Sequence, residues 1–176
     1  KQLKDKAASM ERRQLAKTGM LRSAHMLGNE EEIIFAATDL LADTKLAPEL
    51  SNEAHYYRAK AYLDAGKTDG AMEDLKILAK DTRNVYGAEA KYKVAQIYFD
   101  GGQTDKAEQE VLNYIEVSTP HTYWLARSFV LLADVYMKLG RNLDAKQYLL
   151  SLKQNYQADD DIAGMIESRL EKLKTE

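Results

Sequence analysis

A four-residue skeleton that recurs three times constrains this chain more than any other feature. A small residue is followed by Tyr three positions later, by Gly four after the Tyr, and by Ala five after the Gly. The copies read Ala59-Tyr62-Gly66-Ala71, Ala95-Tyr98-Gly102-Ala107 and Ala133-Tyr136-Gly140-Ala145. The first two copies are offset by 36 residues and the next pair by 38. A fixed period of this length is typical of a solenoid of stacked repeats.

Each marker of the skeleton has a physical role in a pair of helices. Gly66 should end the first helix, because the residue after a helix often takes a left-handed conformation that costs other residues a steric penalty. Ala59 and Ala71 are small, which allows two antiparallel helices to cross closely, and Tyr62 fills the space beside them. The skeleton therefore predicts three helix pairs.

The first part of the chain predicts a further, degenerate pair. Residues 1–23 are basic, with apolar residues at roughly helical intervals, and are typical of an amphipathic helix. Gly28 lies 38 residues before Gly66. Asn29 is a candidate N-cap, and the run 30–32 places three Glu side chains where the helix dipole favours negative charge. Consecutive helical residues point in different directions, so we expect these carboxylates to stabilise the helix and not to bind a metal.

Later helix boundaries are predicted from capping residues. Ser51 is the candidate N-cap of the helix that carries Ala59, and Thr119 that of the helix that carries Ala133, with Pro120 at its first position. Residues 159–174 carry apolar residues on one face and predict a C-terminal capping helix.

These boundaries predict a single array that forms part of a longer protein. Its segments are a lead-in helix or the tail of an earlier repeat, a degenerate repeat, three regular repeats and the capping helix: 1–13, 14–49, 50–85, 86–121, 122–157 and 158–176.

Composition excludes several classes of function. The formal net charge is -3, whereas a dedicated nucleic-acid binder usually has a basic surplus. The chain has no Cys and therefore no disulfide and no thiolate ligand or nucleophile. No apolar run approaches the roughly 20 residues that span a bilayer, so we expect no membrane insertion.

No motif in the sequence predicts catalysis, a cofactor or a metal site. Gly66-Lys67-Thr68 resembles the end of a phosphate-binding loop, but Ala61 stands where that loop requires its first Gly, and no apolar strand precedes it. His25, His55 and His121 are scattered, and none has a second ligand at suitable spacing on its helix. We expect no enzyme active site, and a structural role for His55.

The skeleton resembles the tetratricopeptide repeat (TPR) family, whose helix pairs carry small–Tyr–Gly–Ala at this spacing. The resemblance covers roughly residues 14–156, and the long period is similar to that of TPR variants in bacterial envelope proteins. It implies an all-α fold, a right-handed α-α superhelix of antiparallel helix pairs with a C-terminal capping helix. From the resemblance alone, the periplasm or cell envelope is the implied location.

The resemblance further implies a protein or peptide partner, bound in a concave groove that the first helix of each pair lines. By spacing, the predicted groove residues are Arg22, Tyr56, Lys60, Leu63, Tyr92, Gln96, Phe99, Arg127 and Asp134. Tyr56, Tyr92 and Phe99 would provide apolar anchors, and Lys60 and Arg127 would select acidic groups. The Lys and Asn residues with which some TPR domains bind a C-terminal carboxylate are absent: Thr18, Tyr56, Tyr92 and Val130 occupy those positions.

Three alternatives remain open from the residues. The groove tyrosines could pack only against neighbouring helices. Trp124 could fill the space created by the two extra residues of the last period, or it could contact a partner. The whole array could act as a spacer or a self-association module that forms a homo-oligomer, or as an accessory domain of an enzyme that lies N-terminal to it.

Overall fold

The computed structural model describes the backbone of residues 2–174 and the side chains of residues 4–174. Within these residues the fold consists of nine α-helices and no strand, so the all-α prediction is confirmed. The helices are α1 Gln2–Leu27, α2 Glu30–Leu41, α3 Pro48–Asp64, α4 Thr68–Leu78, α5 Val85–Asp100, α6 Thr104–Glu116, α7 Thr122–Lys138, α8 Asn142–Asn155 and α9 Ile162–Lys174. Lys1, at the start of the predicted lead-in helix, and Thr175 and Glu176, at the end of the predicted capping helix, lie outside the described residues.

Four glycines with positive φ connect the helices into pairs. Their φ angles are 66° at Gly28, 70° at Gly66, 75° at Gly102 and 72° at Gly140. In the three regular pairs, the residue after the Gly donates its backbone N–H to the carbonyl of the skeleton Tyr, over 2.7 to 2.8 Å. This six-to-one hydrogen bond is the Schellman motif, and it explains why Tyr and Gly stand four residues apart in every copy.

The chain divides into two compact units, Lys1–Leu78 and Ala79–Glu176. In the first, α2 packs against α1 and α3, and α3 packs against α4. Its main core consists of buried apolar residues from α1, α2 and α3: Leu21, Ala24, Ile33, Ala36, Ala37, Leu40, Ala54 and Ala61. α1 is continuous across the predicted boundary between residues 13 and 14, and the partition into repeats stays a prediction.

A buried carboxylate connects three helices of the first unit. Asp74 on α4 is 1% exposed and accepts two hydrogen bonds from Arg58 on α3, over 2.8 and 2.7 Å. His55 Nδ1, also on α3, lies 2.7 Å from the same carboxylate, and Arg58 donates to Thr38 Oγ1 on α2 over 3.0 Å. The structural role predicted for His55 is confirmed, because its ring holds α4 against α3.

In the second unit α7 lies at the centre and packs against α5, α6, α8 and α9. Eight of its residues are buried, because the segment from Phe129 to Met137, apolar except for Asp134, faces helices on several sides. α9 covers the end of this core with Ile162 and Ile166, which are 0% and 2% exposed. α9 thus packs as the predicted capping helix.

Two predicted helix starts are wrong. α3 begins at Pro48, three residues before Ser51, because the fixed φ of proline suits the first helical position. α7 begins at Thr122 and not at Pro120. The N-cap position is His121, two residues after Thr119, whose hydroxyl donates to the Thr82 carbonyl over 2.8 Å and accepts from His121 N over 3.1 Å.

α1 is the longest helix, but it is rich in charged residues. Within residues 2–174, no helix is long and apolar enough to cross a membrane.

Candidate partner-binding site

Three helices of the second unit share one surface. α7 packs against α5 and α6, and α9 packs in the same way against α7 and α8. α9 therefore occupies the place that the first helix of a further pair would take. Side chains from α5, α7 and α9 meet on this surface.

The surface contains a pocket of about 190 Å³. Gln96 comes from α5, Arg127 and Asp134 come from α7, and Arg169 comes from α9. The lining residues are Tyr92, Gln96, Arg127, Val130, Leu131, Asp134, Met165 and Arg169. A pocket lined by two guanidinium groups, one carboxylate, an amide and a phenol is suited to a polar side chain.

Arg127 is held between two tyrosines. It donates from Nη2 to Tyr92 Oη and from Nη1 to Tyr123 Oη, each over 3.0 Å. Its guanidinium carbon lies 5.0 Å from the centroid of the Tyr92 ring and 5.9 Å from that of Tyr123, within the range of a cation–π interaction. Tyr92 in turn donates to Gln96 Oε1. The position of Arg127 is thus fixed by neutral groups.

Asp134 and Arg169 form a two-pronged ion pair between α7 and α9. Arg169 donates from Nε and Nη2 to the two carboxylate oxygens of Asp134, over 2.6 and 2.7 Å, and from Nη1 to the Met165 carbonyl over 3.1 Å. Bidentate pairs of this kind fix orientation as well as distance. The pair therefore forms a rigid wall of the pocket.

Burial and hydrogen bonding shift the acidity of two lining residues. Burial raises the pKa of Tyr92, and the hydrogen bond from Arg127 opposes that shift only in part. Burial acts to lower the pKa of Arg127, but the hydrogen bonds to Tyr123 and Tyr92 outweigh it and raise the net pKa. At neutral pH Arg127 is a cation and Tyr92 is a neutral phenol.

Trp124, the sole tryptophan, lies beside the pocket. Its ring centroid is 5.6 Å from that of Tyr92 and 5.0 Å from that of Tyr123, with the latter pair edge to face. Such distances are typical of aromatic packing. Trp124 thus helps to fix the two tyrosines that hold Arg127.

The predicted groove residues of the first unit lie on α1 and α3. Arg22 is exposed and donates to both carboxylate oxygens of Glu53, over 2.7 and 2.8 Å. Lys60 is exposed, with Nζ 5.5 Å from the centroid of the half-buried Tyr56 ring. Leu63 is also half-buried.

The structure brings together four of the predicted residues: Tyr92, Gln96, Arg127 and Asp134. Phe99 does not line this pocket, and its half-buried ring instead lies 5.1 Å from Lys138 Nζ. Sequence reasoning missed Arg169. Treating the capping helix as the first helix of another pair would have predicted that its side chains continue the same surface.

Other candidates for chemistry have structural roles in the described residues. Gly66-Lys67 forms the turn between α3 and α4, and Thr68 is the first residue of α4. The His25 ring stacks on Tyr57 with centroids 4.1 Å apart, and His121 Nε2 lies 3.0 Å from the Arg83 carbonyl oxygen. In residues 4–174, no group of three or more potential ligands is placed to hold a metal ion.

Comparison with known proteins supports the repeat assignment. The family model described as "Tetratricopeptide repeat" matches residues 53–81, which include α4 and most of α3. No curated protein matches the chain.

Solved structures with the same fold cover nearly the whole chain. The crystal structure of MamA is 21% identical, with a TM-score of 0.59, and the match covers 89% of this chain and 95% of that one. The nearly identical TPR-like repeats of a Podosopora anserina protein described as a kinesin light chain are 16% identical, with a TM-score of 0.55, covering 93% and 94% of the two chains. A variant of those repeats with one substitution is 15% identical, with a TM-score of 0.57, covering 93% of each chain. The chain therefore shares the helical-repeat fold of these solved structures.

Proposed function

We propose that this chain is a non-catalytic scaffold that binds a peptide segment or a helix of a partner protein. The binding surface of the second unit is the face shared by α5, α7 and α9. The observation that supports this most directly is the polar pocket on that face, whose walls come from all three helices. Solenoid repeats use such surfaces for recognition.

The groups around the pocket suit an extended polypeptide. Gln96 and Phe99 lie one turn apart on α5 and are both half-buried, so they offer an amide and an aromatic ring to a ligand. Aromatic side chains at the edge of a buried cluster are frequent energetic centres of an interface. Tyr92 is only 5% exposed, so we assign it a supporting role behind the surface.

The first unit has a second surface of similar chemistry. Lys60 and Tyr56 stand together on α3, and Leu63 follows one turn after Lys60. A cation, an aromatic ring and an aliphatic side chain on one helix suit an acidic and apolar segment. This surface is part of the same proposal.

A random dodecapeptide library displayed on phage tests the proposal with the full chain as bait. The strongest synthetic peptides are then titrated by fluorescence anisotropy against wild type and the double variant Gln96→Ala/Phe99→Ala. We expect affinity to fall at least about fivefold, since loss of an interface anchor costs more than about 1 kcal/mol.

The matched control is Gln109→Ala/Leu112→Ala, which removes an amide and an apolar side chain at the same spacing from exposed positions on α6. Its affinity should equal that of wild type, and all three proteins should have the same helical circular dichroism. Failure to enrich any peptide, or equal losses in the two double variants, would contradict the proposed function.

A further inference from the structure

Arg127 has hydrogen-bonding capacity that its contacts in this chain leave unused. A guanidinium group has five N–H donors. Within the described residues Arg127 donates one hydrogen bond to Tyr92 and one to Tyr123. Both acceptors are neutral phenol oxygens, so these bonds orient the cation without neutralising its charge.

The carboxylates near the pocket do not neutralise Arg127 by direct hydrogen bonding. Asp134 is held by both prongs of Arg169. Asp161, just before α9, lies 3.6 Å from Arg127 Nη1, beyond the usual hydrogen-bond distance, and is 53% exposed. Asp161 accepts from Tyr123 Oη over 3.3 Å. A weak, solvent-exposed ion pair of this kind is readily exchanged for another.

The lining carries a net positive charge. Arg127 and Arg169 contribute two cations and Asp134 one anion, and Tyr92 and Gln96 are neutral. The pocket volume of about 190 Å³ is several times the roughly 30 Å³ that one water molecule occupies in the liquid. The pocket is therefore large enough for the end of a side chain, and its charge favours an anion.

We propose that this pocket binds the carboxylate of an Asp or Glu side chain in a bound peptide, with Arg127 as the direct contact and Asp161 as an internal competitor. This inference rests on the proposed function and specifies the ligand chemistry of one position. Arg169, paired with Asp134, is a positioning residue that shapes the wall. When the acidic side chain enters, its carboxylate takes the place of Asp161 beside Arg127.

The roles proposed for Arg127 and Asp161 predict that their substitutions change peptide affinity in opposite directions. In the same anisotropy assay, Arg127→Gln should weaken binding of an acidic peptide about tenfold or more, because hydrogen bonds to charged groups are the strong ones. Asp161→Asn should strengthen binding, by about twofold to fivefold for an exposed competitor. Arg83→Gln is the control, because Arg83 is 81% exposed and pairs with Asp81 in a loop.

The peptide supplies the second half of the test. Each Asp or Glu of the best selected peptide is changed to Asn or Gln in turn. The inference would be supported if two results are seen together. One acid-to-amide change in the peptide should weaken binding to wild type but not to Arg127→Gln, and Asp161→Asn should bind the acidic peptide more tightly than wild type.

Peptides that bind through Gln96 and Phe99 but respond to neither Arg127→Gln nor acid-to-amide changes would overturn the inference and leave the proposed function standing. Unchanged or weaker binding by Asp161→Asn would overturn the role of Asp161. Absence of any selected peptide would overturn the proposed function itself, and the inference with it.

Discussion

Replacing Asp74 with Asn should destabilise the first unit by about 2–3 kcal/mol. Removing one partner of a buried ion pair typically costs about 3–5 kcal/mol, because the other charge stays buried without compensation. Here the remaining cation, Arg58, is 19% exposed and keeps some hydration, so we take a value below that range. In the variant, the amide N–H group also faces donor groups whose hydrogen bonds the wild-type carboxylate accepts.

Urea unfolding followed by circular dichroism measures this change, since urea leaves ion pairs unscreened. With a denaturant slope of about 1 kcal/mol per molar, the midpoint should fall by about 2–3 M. The matched control is Glu73→Gln, the same chemical change at the adjacent, exposed position of α4. If the two variants unfold at the same urea concentration, the argument that Asp74 connects α2, α3 and α4 is refuted.

The stabilisation by Asp74 should also depend on pH in one direction. Burial alone would raise the pKa of Asp74, but hydrogen bonds from Arg58 and then His55 outweigh it and hold the pKa below the ordinary 3.8. A carboxylate with a lowered folded pKa stabilises the fold above its unfolded pKa and loses that effect as pH falls through the folded pKa. The difference in stability between wild type and Asp74→Asn should thus shrink as pH falls below about 4.

Two other substitutions or titrations probe the second unit. Ala95 is 1% exposed in the core, so Ala95→Leu should destabilise the unit by about 1–3 kcal/mol through overpacking, as measured by thermal melts. The control Ala163→Leu, at an exposed position of α9, should cost much less stability in the same assay. Burial, with a hydrogen bond to Glu108, raises the pKa of Tyr136 to about 12, and the pKa of Tyr156 is also raised to about 12. Tyrosinate absorbance should therefore show a late step that Tyr136→Phe reduces by one tyrosine, and the stabilisation that Tyr136 provides should be lost as pH rises from about 10 toward 12. A Tyr136 that ionises near pH 10 would contradict its placement against the second-unit core.

The helix pairs were predictable because local chemistry determines them. Gly66, Gly102 and Gly140 each need a positive φ, and the spacing to the preceding Tyr matches a six-to-one hydrogen bond that closes the helix. These interactions lie within six residues of sequence. A repeated pattern therefore reports them directly.

The wrong helix starts have the opposite cause. Thr119 is a residue type that often caps a helix, but in the structure its hydroxyl donates a hydrogen bond to the Thr82 carbonyl, which is 37 residues away in the sequence. A single-sequence pattern contains no information about such a partner. Pro48 and Ser51 are both valid signals for the start of a helix, and α3 begins at the proline.

The candidate site was only partly predictable for a similar reason. Repeat spacing identifies Tyr92, Gln96, Arg127 and Asp134 as one surface, because equivalent positions of stacked helices face the same way. It does not identify Arg169 or Asp161, which lie beyond the last regular repeat and have no equivalent to align with. Whether a polar group is available to a ligand depends on its partners, which only the structure gives.

The position of Trp124 has a spectroscopic consequence. As the sole tryptophan, packed against Tyr92 and Tyr123, it gives a fluorescence signal from the second unit alone when it is excited at wavelengths that the tyrosines do not absorb. Helical circular dichroism, in contrast, sums over all the helices. Recording both during one denaturation experiment therefore separates the loss of order around the pocket from the loss of order in the chain as a whole, without any added label.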